Sequence, residues 1–147
     1  MRRAIEIARG NPDAPFGTVI AHGDTGEVLA EGLNDAEKNP ILHGEIDAII
    51  SLAGTDLDVD WTRLVLYTTG EPCPMCSGAI LWCGIPHVVF GTSIATLERL
   101  GLPQVNLSCG EIARRASSSF AHPEITGWVL EEECDALFEE MARRWSS

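Results

Sequence analysis

Hydrophobic and polar positions change period several times along the chain, and each change marks an element. Residues 1–9 carry Ala4, Ile5 and Ala8 at helical spacing. Gly17 to Ala21 and Val28 to Glu31 read as two strands, joined by the turn residues Gly23-Asp24-Thr25-Gly26. From His43 to Ala53 the apolar positions Ile46, Ile49, Ile50 and Ala53 return with a helical period. Leu64-Val65-Leu66-Tyr67 is continuously apolar, which predicts a central strand covered on both faces. A helix follows Pro72 and runs to about Cys83, where Gly84 and Pro86 stop it. Val88-Val89-Phe90 predicts another strand and Ile94 to Leu100 a short helix.

The last third is less regular. Residues 103–124 hold Pro, Gly and Ser117-Ser118-Ser119, which predicts a long irregular excursion. Gly127 to Leu130 reads as a final strand. Glu131 to Trp145 reads as a final helix, with Glu131, Glu132 and Glu133 at its positive end and Arg143 and Arg144 at its negative end. This order predicts one α/β domain, a sheet with helices on both faces.

Composition narrows the class of activity. The chain has 147 residues, 45% hydrophobic and 22% charged, a globular balance. No apolar run approaches the roughly 18 residues that span a bilayer. Met1-Arg2-Arg3-Ala4-Ile5-Glu6 lacks an apolar signal region, so a cytoplasmic protein is expected. Five cysteines, an odd count, argue for reduced thiols over a complete disulfide framework. Ten basic against 22 acidic side chains give a net charge of −12, which repels phosphate backbones. Small-molecule chemistry is favoured over nucleic-acid binding.

The chemistry concentrates in His43-Gly44-Glu45 and Pro72-Cys73-Pro74-Met75-Cys76. Imidazole and thiolate suit Zn²⁺, and three protein ligands leave the fourth tetrahedral position open for water. Cys73 and Cys76 lie at i, i+3 beside a helix start, where N–H groups and the positive helix end favour thiolates. In a regular helix His43 and Glu45 would point about 200° apart. They share a site only if His43 occupies the non-helical boundary position and Glu45 the first turn. Cys83 lies two turns, about 10 Å, past Cys76, too far to be a fourth ligand, whereas His87 and Cys109 are not excluded by spacing. Glu45, outside the ligand set, is the expected proton carrier.

The pattern H-x-E…P-C-x-x-C is the signature of zinc deaminases, and the chain resembles the cytidine deaminase-like superfamily, in its nucleobase and tRNA adenosine deaminase branch. The resemblance covers roughly residues 1–100. Pro15-Phe16-Gly17-Thr18-Val19-Ile20 resembles that branch's first strand, and Gly32-Leu33-Asn34 its substrate-contacting asparagine. Leu66 to Ile80 resembles the stretch that bears the two cysteine ligands. The resemblance implies a three-layer α/β/α domain around a mixed, about five-stranded sheet, one zinc per chain held by His43, Cys73 and Cys76, and a homodimer. Glu71-Pro72-Cys73-Pro74-Met75-Cys76 and Trp82 are similar to guanine deaminases, whereas His43-Gly44-Glu45 and Leu66-Tyr67-Thr68-Thr69 are more similar to cytosine deaminases. Residues 103–147 match neither and form a divergent C-terminal lid or tail.

The implied activity is hydrolytic deamination of a free nucleobase or related heterocycle, guanine-like purines first. The alternatives are a cytosine-type pyrimidine or nucleoside, a tRNA adenosine, or a non-catalytic zinc-binding subunit of the same fold. For the substrate side, the candidates are Asn34, Gly44, Glu71, Phe16 and Trp82. Each has a plainer reading: a turn residue for Asn34, a close helix–sheet contact for Gly44, a favourable helix-start charge for Glu71, and core packing for the two aromatics. Phe120, Trp128, Phe138 and Trp145 are the tail aromatics available to close a site.

Overall fold

The computed structural model describes residues 1–147. Five strands form one mixed sheet in the order β2-β1-β3-β4-β5. They are β1 (Gly17–His22), β2 (Val28–Leu33), β3 (Leu64–Gly70), β4 (His87–Thr92) and β5 (Glu124–Thr126). The β1–β2 hairpin and the β1–β3 pair are antiparallel, and β3, β4 and β5 run parallel. Six α-helices accompany them: α1 (Arg2–Ala8), α2 (Gly44–Ala53), α3 (Pro74–Cys83), α4 (Ile94–Arg99), α5 (Cys109–Arg115) and α6 (Glu131–Trp145). No helix is long and apolar enough to cross a membrane.

Period-2 alternation in the central strands sends side chains to two cores. On one face Ile20, Leu64, Leu66 and Val88 meet Ala48 and Leu52 of α2 and Ile80 of α3. On the other, Val19, Ala21 and Tyr67 meet Ala4 of α1. Beside this second cluster, Phe138 and Met141 of α6 pack with Leu97 of α4 and with Leu102. Ile20, Leu52, Leu64, Leu66 and Phe138 are each at most 1% exposed. Burial of each such side chain stabilises the fold by about 1.5–3 kcal/mol relative to exposure. The expected α/β architecture, with helices on both faces of a five-stranded sheet, is what the chain adopts.

Two expectations for the last third are corrected. The excursion over 103–124 contains α5, whose N-cap Ser108 accepts the Glu111 N–H at 3.1 Å while Glu111 accepts the Ser108 N–H in return. This capping box supplies the local stability that the Ser- and Gly-rich composition obscured. The final strand is Glu124–Thr126, not Gly127 to Leu130. After Thr126 regular pairing ends: Val129 still donates its N–H to the Phe90 carbonyl of β4 at 3.0 Å, but Trp128 and Leu130 on either side of it are at positive φ (59° and 52°). That geometry is incompatible with a strand.

Candidate metal centre and active site

The site forms where the N-termini of α2 and α3 face the end of the β1–β3 pair. His43 is the N-cap of α2, with extended φ −72° and ψ 161°, and Glu45 follows in the first helical turn. The boundary position removes the angular divergence that a continuous helix would impose. Cys73 is likewise the extended N-cap of α3, and its sulfur accepts the Cys76 N–H at 3.5 Å. Pro74 opens the helix without loss of a hydrogen bond, and Gly84 closes it at φ 74°, where a left-handed residue is needed.

Three donor atoms converge. His43 Nδ1 lies 3.6 Å from Cys73 Sγ and 3.7 Å from Cys76 Sγ. All three ligand atoms lie within 4.8 Å of one another. With Zn–N near 2.0–2.1 Å and Zn–S near 2.3 Å, a tetrahedral centre calls for an N···S edge of about 3.6 Å. The spacing therefore fits a zinc ion, and the borderline-soft nitrogen and sulfur set fits its chemistry. His87 faces Glu124 at 3.7 Å instead, and Cys109 lies against Glu71, so neither joins the trio.

The electrostatics are those of a site organised around a cation. The hydrogen bond from Cys76, and next that from His43, hold the Cys73 thiol down to about 4. The same bond and burial push Cys76 upward, while Cys73 raises His43. Cys73 is thereby the readily ionised member of the pair, and a bound divalent ion would stabilise both thiolates. Glu45 is 3% exposed, and burial pushes its carboxyl above the usual carboxylate range. Its Oε1 accepts the hydroxyl of Thr68 at 3.2 Å. A buried carboxylate beside the three converging donors can carry protons between water and a bound ring.

Three of the candidate substrate residues assemble around α2. Gly44 is wedged against the start of β1: a Cβ there would stand 2.5 Å from the Phe16 carbonyl oxygen and 3.0 Å from Thr18 Oγ1. The same Phe16 oxygen accepts the Asn34 N–H at 3.0 Å. Asn34 is buried, and its Oδ1 accepts the Ala36 N–H at 3.1 Å, an Asx turn that leaves the side-chain NH₂ to donate elsewhere. Turn and ligand roles are thus compatible in one residue. Of the tail aromatics, Phe138 reaches Phe16, with ring centroids 4.8 Å apart. Phe120 packs on Trp82 and Trp128 on Phe90.

Glu71 and Trp82 sit differently from the expectation. The Glu71 carboxylate is buried and accepts two main-chain N–H groups, Ile94 at 2.8 Å and Cys109 at 3.0 Å, so it fastens α4 and α5 to the cysteine loop. Trp82 is 80% exposed and meets Phe120 edge-on at 4.9 Å. Six residues past Cys76, it lies about 240° around α3 and about 9 Å along it, away from the metal ligands. The threonines at 18 and 68, by contrast, are not distinguished by the sequence pattern. Their signal is two polar residues placed fully buried in otherwise apolar strands, and it becomes readable only once Thr18 is known to pair with Thr68 across β1 and β3.

Fold and ligand set together define a zinc-type deaminase. The family model for the cytidine and deoxycytidylate deaminase zinc-binding region matches residues 1–92, and the chain belongs to that family of hydrolytic deaminases. It is 32% identical over 142 residues to a probable cytosine deaminase of Schizosaccharomyces pombe, covering 90% of this chain and 84% of the relative. It is also 32% identical over 160 residues to a tRNA-specific adenosine deaminase of Bacillus subtilis, covering 98% and 89%. Among solved structures, guanine deaminase from Nitrosomonas europaea superposes with a TM-score of 0.75 at 25% identity, covering 97% of this chain and 82% of that one.

Proposed function

We propose that the protein deaminates a free nucleobase or a closely related heterocycle, guanine-like purines first, with one zinc per chain held by His43, Cys73 and Cys76. The observation that carries this reading is the convergence of those three donors at tetrahedral spacing beside the buried Glu45 carboxylate. A zinc ion held by these three residues would supply the Lewis acidity that activates a water molecule. Glu45 accepts a proton from that water and delivers it to a ring nitrogen, and a second proton transfer accompanies the departing amine. The water oxygen bonds to the amino-bearing ring carbon, the carbon–nitrogen bond breaks, and a carbonyl compound and ammonia leave. Asn34 donates its free NH₂ to the ring and Phe16 supplies an apolar wall, while Gly44 serves the close contact between α2 and β1. A non-catalytic zinc subunit would have no use for a buried carboxylate at this position.

The purine preference draws on Glu71-Pro72-Cys73-Pro74-Met75-Cys76 and on the similarity to the Nitrosomonas guanine deaminase over nearly the whole chain. A cytosine-type substrate is the second reading, favoured by the fission-yeast relative that aligns with 90% of the chain. A tRNA substrate is opposed by charge. Arg2, Arg3, Arg63, Arg143 and Arg144, five of the ten basic side chains, are already paired with carboxylates. Residues 103–147 form the lid side: Asn106, Cys109, Arg114 and Trp128 share with Glu71 a cleft of about 490 Å³.

We assign the functional unit to a homodimer in the cytosol. Helix α3 is apolar around its circumference, burying Ile80 and Leu81 while exposing Met75 and Trp82, as expected of a helix covered on both sides. Sedimentation at micromolar concentration tests this, and a monomer rejects it. Ammonia release over guanine, adenine, cytosine and their nucleosides, with and without chelator, tests the activity. Glu45→Gln is expected to retain near-stoichiometric zinc and lose turnover; a wild-type rate in that variant removes Glu45 from the reaction.

A further inference from the structure

We infer that Thr68, backed by Thr18, is a positioning residue that fixes the Glu45 carboxylate for proton transfer. The inference rests on the reading of Glu45 as the proton carrier and adds to it the device that aims that carboxylate. Thr68 lies on β3, two residues before the strand ends, and Thr18 is its partner on the antiparallel neighbour β1. Both side chains are 0% exposed. A hydroxyl taken from water without a partner costs about 1–3 kcal/mol on protein mutational scales, so buried threonines in a central sheet need a hydrogen-bonding destination.

Here the destination is directional. Thr18 Oγ1 donates to Thr68 Oγ1 at 3.3 Å, and Thr68 Oγ1 donates to Glu45 Oε1 at 3.2 Å. Once Thr68 accepts from Thr18, its own proton faces the carboxylate, which is the acceptor at the end of the chain. Both distances lie just beyond the usual range of about 2.5–3.0 Å for O–H···O bonds, and catalytic hydrogen bonds are often long before substrate closes a site. The base of the chain is closely packed: a Cβ at Gly44 would stand 3.0 Å from Thr18 Oγ1, so no side chain fits between α2 and β1 there. The neighbouring Thr69 is employed elsewhere: it donates to the Pro15 carbonyl at 2.8 Å and accepts the Gly17 N–H at 3.1 Å, so it holds the strand start and leaves Glu45 to Thr68. One Glu45 oxygen is thereby tethered to the sheet.

The test replaces the hydroxyl while keeping the shape. Thr68→Val is expected to lower kcat about 10- to 100-fold, the usual cost of losing a group that orients a catalytic residue. KM and zinc content should stay unchanged. Thr68→Ser should restore most of the rate, Thr18→Val should cost less than Thr68→Val, and the double valine variant should lose no more than Thr68→Val alone. A second readout is independent of turnover. In glutamate-labelled, zinc-loaded protein the Glu45 carboxyl ¹³C resonance, assigned by its loss in Glu45→Gln, should be single in the wild type and Thr68→Ser. It should be broadened or split in Thr68→Val. Wild-type kcat in Thr68→Val, or an unchanged resonance in it, overturns the inference. If Thr68→Val does not fold, wild-type values in Thr18→Val overturn the relay. Wild-type protein inert towards every ring offered defeats the proposed function, while the resonance still decides the role of Thr68.

Discussion

Phe16, at the threshold of β1, and Phe138, in the middle of the final helix, face each other with ring centroids 4.8 Å apart and planes inclined at 55°. Gly70 lies beneath both, where a Cβ would come within 2.9 Å of the Phe16 ring and 3.4 Å of Phe138. The tail is thereby packed directly on the residue proposed as the wall of the base site. Phe138→Ala should destabilise the fold by about 3–5 kcal/mol, the range for truncating a fully buried aromatic. Denaturant unfolding measures it, and a loss under 1 kcal/mol would mean that the tail docks without this contact.

Glu71 is the second tie between the site and the tail. In Glu71→Gln one of the two main-chain N–H groups now meets an NH₂ instead of an oxygen. A loss of about 1–3 kcal/mol is expected for the donor left unpaired. Because both donors open helices beyond the sheet, limited proteolysis should cut first within residues 103–124 in this variant. An unchanged cleavage pattern would show that α5 is held by other contacts.

Chelation should expose one of the two cysteine ligands selectively. In zinc-loaded protein Cys73 and Cys76 are expected to resist a thiol reagent at neutral pH, with Cys109 and Cys134 protected by burial and the half-buried Cys83 the one available sulfur. After chelator treatment one further thiol should react, that of Cys73, whose thiolate persists down to about pH 4, while Cys76 stays protected by burial and by its raised thiol. Release of one zinc per chain alongside that one thiol would complete the stoichiometry. Metal release without new reactive sulfur would place the ion elsewhere.

Alkaline stability should depend on Cys134. Burial, and next the negative charge of Asp135, push its thiol up to about 12, and burial likewise raises Cys109. The folded state therefore keeps protons that the unfolded chain releases near pH 9. The stabilisation is complete below pH 9 and is lost as pH rises through about 12. The denaturation midpoint should fall over that interval, and Cys134→Ala should flatten the fall while lowering stability at neutral pH. Parallel curves for the two proteins would assign the slope to other groups.

Sequence patterning located most of the scaffold because local chemistry and tertiary context agree there. The predicted Glu131–Trp145 helix has the observed limits, since its acidic start and basic end act within one element. His43 as an N-cap was legible from the conflict between its spacing to Glu45 and helical geometry. The roles of Glu71 and Trp82 were not, because a carboxylate's partners and a tryptophan's exposure depend on residues 23 to 38 positions away. Thr68 was hidden for the same reason: its meaning lies in a register with Thr18, 50 residues distant. The short β5 escaped because its three residues alternate too briefly to leave a period.

His43 precedes β3 and the two cysteines follow it, so the ligand set straddles a strand that must find β1 across a long loop before the three donors meet. Such non-local pairing is the slow part of assembly. An ion at this position is therefore a latch closed after folding, not a seed that starts it. Refolding with and without zinc should proceed at one rate to two end states, of which only the metal-loaded one resists reopening.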